Sequence, residues 1–88
     1  MPYEPRRDVF WNGEFEAQLA GLIPDEEEAG EFVAGAEDLL SRKPELGSRA
    51  SDDGTVWSIP MTLLGERELW LLYSFDESRV VLLAVVLA

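Results

Sequence analysis

The chain has 88 residues, 47% of them apolar, with 18 acidic against 7 basic side chains and a formal net charge of −11. A domain of this length buries only about 60 to 65% of the surface its unfolded chain exposes, which allows one domain with one core. The charge repels nucleic-acid phosphates and anionic membranes, and with neither cysteine nor histidine the chain has no disulfide, no thiolate and no imidazole base or zinc ligand.

Residues 1–7 carry charge but lead into no apolar stretch of the kind a signal peptide needs. Val9 to Trp11 are bulky and favour a short strand. Asn12 is placed to cap a helix whose Phe15, Leu19, Leu22 and Ile23 share one face, and Pro24 ends it. Asp25, with Glu28 three positions on, reads as the start of a second helix, and Glu26 to Glu28 suit the positive end of its dipole. That role explains the acidic cluster better than metal binding or acid–base catalysis. Ala29, Phe32, Val33, Ala36, Leu39 and Leu40 continue the helical spacing until Pro44 stops it. The pair predicts a helical hairpin. Residues 1–48 hold 12 acidic and 4 basic side chains and residues 49–88 hold 6 and 3, so the acidity belongs mainly to the helical half.

Beyond Asp52-Asp53-Gly54, a turn, the period changes to two. Trp57, Ile59, Met61 and Leu63 alternate with smaller or polar residues, and Pro60, without an amide proton, places that strand at a sheet edge or a bulge. Leu64 to Arg67 offers a hairpin turn. Leu69, Leu71, Tyr73 and Phe75 then fall on one face and Trp70 and Leu72 on the other. Asp76-Glu77-Ser78 turns the chain again. The last strand, Arg79 to Ala88, is apolar on both sides, with Val80, Leu82, Ala84 and Val86 on one and Val81, Leu83, Val85 and Leu87 on the other. Its nine-residue apolar stretch from Val80 is far short of the roughly 20 a membrane-spanning helix requires.

The expected fold class is α+β: a short N-terminal strand, a helical hairpin, then a three-stranded antiparallel meander. Two helices cover one face of such a sheet, leaving little chain for the other. Trp70, Leu72, Val81, Leu83, Val85 and Leu87 are therefore the expected partner-binding residues, the alternative cover being the N-terminal segment and the loop around Leu46. Tyr73 alternates with core residues and reads as a core tyrosine. Arg49, Arg67 and Arg79 are the basic groups of the strand half; Arg67 and Arg79 stand beside Glu66, Glu68 and Glu77, where surface pairing outweighs an RNA contact.

Several stretches resemble the RelE/ParE-type toxins of bacterial toxin–antitoxin modules. Phe15-Glu16-Ala17-Gln18-Leu19 is similar to that family's first-helix pattern, and Asp38 through Gly47 to its exit from the second helix. Val56 to Pro60 stands where its first meander strand does. Leu71-Leu72-Tyr73-Ser74-Phe75-Asp76 followed by Val80 to Leu83 resembles its last two strands. With neither a signal-peptide pattern nor a membrane-length apolar run, a cytoplasmic protein is the default expectation; the resemblance implies a toxin-like protein whose partner is an antitoxin or a protein target. It also implies, for ribosome-dependent RNA cleavage, an arginine a few residues before Tyr73, where Trp70 stands, and a catalytic tail beginning about where Ala88 ends the sequence. Both departures argue against nuclease activity and for a role in protein binding. A second reading is an interaction or structural protein that shares the fold and pairs with a second copy of itself through the apolar sheet face, and a third, behind both, is a ribosome-dependent endoribonuclease toxin. No cofactor is implied, and direct nucleic-acid contact is disfavoured by the charge.

Overall fold

The computed structural model describes residues 6–63 and 67–88. Its first strand, β1, is Asp8–Trp11. Asn12 caps the following helix, its side-chain carbonyl accepting the Phe15 amide at 3.0 Å, and α1 runs over Gly13–Leu22. The amide of Ile23 closes the helix on Leu19, and Pro24 has no amide to continue it. The Asp25 carboxylate accepts the amides of Glu27 and Glu28 at 2.9 and 3.2 Å, starting α2, Glu26–Arg42. Near its end Arg42 reaches back to Asp38 at 2.6 Å.

Pro44–Leu46 makes one turn of 3-10 helix and leads into β2, Ser48–Arg49. The next turn is held by Asp53, whose carboxylate accepts the Ser51 hydroxyl and both the amide and the hydroxyl of Thr55. Gly54, at φ 75°, occupies left-handed backbone there. β3 is Trp57–Leu63, β4 Arg67–Phe75 and β5 Arg79–Leu87. The expected Leu64–Arg67 hairpin turn falls on residues 64–66, outside the described ones, as do residues 1–5 of the N-terminal segment.

The five strands form one mixed sheet in the order β1-β5-β4-β3-β2, with β1 parallel to β5 and the other pairs antiparallel. It is larger than a three-stranded meander: β1 joins one edge and β2, too short to leave a periodic signal, the other. β2 pairs only with Trp57 and Ser58, so the expected edge position holds at Pro60 itself.

Both helices pack on one face. Phe15, Leu19 and Ile23 from the α1 segment and Phe32, Ala36 and Leu40 from α2 meet Ile59, Leu69, Leu71, Tyr73, Val80, Leu82 and Val85 in a single core. Each large apolar side chain buried there contributes about 1.5 to 3 kcal/mol. The loop around Leu46 lies on this side too: Tyr73 donates its hydroxyl to the carbonyl of Pro44, and Leu46 is itself exposed. Arg7 binds the Ser41 carbonyl at the end of α2 through its amide. Neither of these described segments crosses the helix-free face.

One expectation about β5 is corrected. Strict alternation puts Val81, Leu83, Val85 and Leu87 on one side, but Leu72 pairs with Ala84 and Tyr73 with Leu82, which leaves Leu83 without a partner. One extra residue inverts the parity beyond it. Val85 therefore faces the helices, 2% exposed. Leu87, paired with Leu69, shares that side at the end of the sheet, while Ala84 and Val86 move to the open face.

Candidate protein-docking face

The register fixes what the helix-free face presents. Phe10 lies beside Val81, Ala84 beside Leu72, Val86 beside Trp70, and Trp70 beside Pro60. With the bulged Leu83 these form an apolar strip across β1, β5 and β4. Phe10, Leu83, Val86 and Trp70 are 50, 40, 42 and 37% exposed, and Leu72, Val81 and Ala84 are half-buried. Ser48, Ser58, Thr62 and Ser74 extend the face with neutral polar groups. Among the described residues charge appears on this face only at its ends, where Asp8 stands beside Arg79 and, at the other, Glu68 stands beside Thr62.

Of the residues expected from sequence, Trp70, Leu72, Val81 and Leu83 come together. Val85 and Leu87 do not. Phe10, Ala84 and Val86 were missed, because their membership depends on the β1–β5 register and on the bulge, neither of which leaves a periodic mark. A large aromatic on the central strand, apolar on its ring and polar at its indole nitrogen, is the residue type that anchors protein interfaces.

Arg6 and Arg42 pair with Asp38, and Arg7 and Arg79 both reach Asp76, so the arginines at that corner are taken up by acidic and carbonyl partners; the three arginines of the strand half are not gathered. Arg49 on β2 lies over the Trp57 ring at 6.0 Å, on the helix side of the sheet. Arg79 lies 3.6 Å from Asp76. Arg67 starts β4, at the far end of the hairpin from Arg79, roughly 26 Å away along the strand. A further open groove beside β1 is lined by Arg6, Arg7, Asp8, Glu37 and Asp38, and there Arg6 is paired with Asp38 at 3.6 Å.

The perturbed ionisable groups are structural. The Ser51 hydroxyl, followed by the Thr55 amide, pushes the Asp53 carboxyl down to about 2. The Ser78 and Arg79 amides likewise lower that of Asp76. Burial pushes the Tyr73 phenol up, against the smaller opposing pull of the Gly47 amide, so it stays a protonated donor. Among the described residues no cluster of three acidic side chains is placed to hold a metal ion, and no helix is long and apolar enough to cross a membrane. What the described residues offer is a surface. No protein-family model matches the chain, and no curated protein matches it.

Proposed function

We propose that this chain acts by binding protein through the helix-free face of its sheet, as a toxin-like component of a toxin–antitoxin module that does not cleave RNA. The binding reading is carried by one observation: an uncharged apolar strip spans three adjacent strands on a face that no described helix covers. Contiguous exposed apolar area of this kind marks interaction sites. The order of elements, a strand, two helices and then three long strands, supports the RelE/ParE-like setting. That setting is cytoplasmic, and its partner is an antitoxin or a protein target. RNA cleavage draws no support from the site. Phosphoryl transfer needs cations converging on one phosphate, whereas Arg67 and Arg79 lie at opposite ends of a hairpin and Tyr73 is buried.

Induced expression in a bacterial host tests the proposal. The wild-type chain should arrest growth with cellular RNA intact. Leu83→Glu and Val86→Glu, each placing a charge in the strip, should relieve the arrest while leaving the far-UV circular dichroism unchanged. Arrest that persists in both variants, or RNA cleavage that Arg49→Ala abolishes, would overturn it. Unimpaired growth with the wild-type chain would remove the toxin-like part and leave the docking face to be judged by association.

A further inference from the structure

We infer that the occupant of the helix-free face is a second copy of this chain, packed sheet to sheet about a twofold axis. The inference rests on the protein-binding part of the reading above and replaces the antitoxin or protein target with a second copy as the occupant of that face.

Charge separates the candidate occupants. The interior of the strip contains no carboxylate. Glu14 and Glu16 on α1, and Glu26, Glu27, Glu28, Glu31, Glu37 and Asp38 on α2, belong to the other layer of the molecule. A basic partner steered by the net charge of −11 is drawn toward that helical layer and finds nothing to pair with inside the strip. A neutral apolar surface is what the strip fits, and the chain itself supplies one.

Two chains of charge −11 repel, so the geometry must keep the charges apart. Packed sheets lie about 10 Å apart, with each helical layer about 10 Å behind its own sheet, which separates the two acidic layers by about 30 Å. The Debye length at physiological ionic strength is about 8 Å, and the repulsion between those layers is therefore largely screened.

The area fits a small interface. The five strands hold 4, 2, 7, 9 and 9 residues, which at about 3.3 Å per residue and about 4.8 Å per strand give a face of roughly 490 Å² in projection, below the ~800 Å² per partner of a standard interface. An isologous contact requires only that a patch fit its own image. A strip free of internal charge meets that requirement without any like-charge contact.

Light scattering over a concentration range reads the mass of the full chain. The expected result is a dimer whose association weakens at least about tenfold in Leu83→Glu and in Val86→Glu, with circular dichroism unchanged. A second measurement does not depend on the charged variants folding. The chain has no cysteine, so nitroxide labels at Thr62→Cys, on the open face, and at Ala20→Cys, on the exposed side of α1, report interchain distances. The Thr62→Cys distance should be the shorter. A dimer that persists in both charged variants, or a shorter distance at Ala20→Cys, would overturn the inference by placing the contact elsewhere. A wild-type monomer that binds an apolar dye, with binding lost in Leu83→Glu, would overturn the second-copy partner and leave the docking face standing. A wild-type monomer that binds no dye would overturn both.

Discussion

Gln18, in the middle of α1, accepts the amide proton of Val85 on its side-chain carbonyl at 3.1 Å, across 67 positions of sequence. The cause is topological. Ala88 donates its amide to Glu68 on β4, so the Val85 amide, three residues earlier, points the other way, toward the side where β1 has already ended beside Leu82. The helix that follows β1 supplies the acceptor that the strand no longer can.

Gln18→Leu should therefore lower the unfolding free energy by about 1 kcal/mol, the net value of one such bond. Gln18→Glu keeps an acceptor in place and should recover most of the loss. Urea denaturation of the three proteins measures the difference; equal stabilities would show that solvent already satisfies the Val85 amide.

Tyr73 ties the sheet to the end of α2 through its bond to Pro44. Tyr73→Phe keeps the ring and removes the bond, leaving a buried carbonyl without that donor, at a cost of about 1 to 3 kcal/mol. A midpoint of denaturation within error of wild type would contradict this.

Glycines at two positions should respond in opposite directions to alanine. A Cβ on Gly47 would collide with the Tyr73 hydroxyl and the Ser58 carbonyl, one of them backbone, whereas a Cβ on Gly35 in α2 meets nothing within 4 Å. Gly47→Ala should destabilise by about 1 to 3 kcal/mol. Gly35→Ala should stabilise by about 0.5 to 1 kcal/mol through helix propensity. Thermal melts of both variants against wild type would expose an error in either sign.

Acid should loosen the turns before the core. The Asp53 carboxyl titrates at about 2 in the folded chain, below its ordinary value of 3.8, and Asp76 is also lowered. A depressed folded value means stabilisation that is present above about pH 4 and lost as the pH falls toward 2. The informative comparison is therefore between wild type and Asp53→Asn, with melting temperature followed from about pH 5 to about pH 2. The variant should start lower and show the smaller acid-dependent loss; parallel curves would count against the assignment.

Much of the fold was legible because local chemistry and tertiary packing agree. Asn12, Pro24, Asp25 and Pro44 bound the helices as their capping and backbone preferences dictate, and the alternation Leu69, Leu71, Tyr73 marks the buried side of β4. What escaped was long-range. β2 is two residues held by its neighbour, and β1 joins β5 by a pairing that no local pattern encodes. The candidate face was half legible for the same reason. Trp70, Leu72, Val81 and Leu83 follow from alternation, but β5 is apolar on both sides, so its sequence carries no contrast from which a change of phase could be read.

Leu83 gives the sheet one spare residue. Removing it would leave Val80, Leu82, Val85 and Leu87 in unbroken alternation on the helix side, with Tyr73 and Leu71 still opposite the same core neighbours. A one-residue deletion in the interior of β4 or β5 away from this bulge would turn the remainder of that strand inside out. At this position the chain can lose a residue and keep its interior, so evolutionary change in length has a safe place to act within an otherwise rigid ladder, and its effect would fall on the outer surface alone.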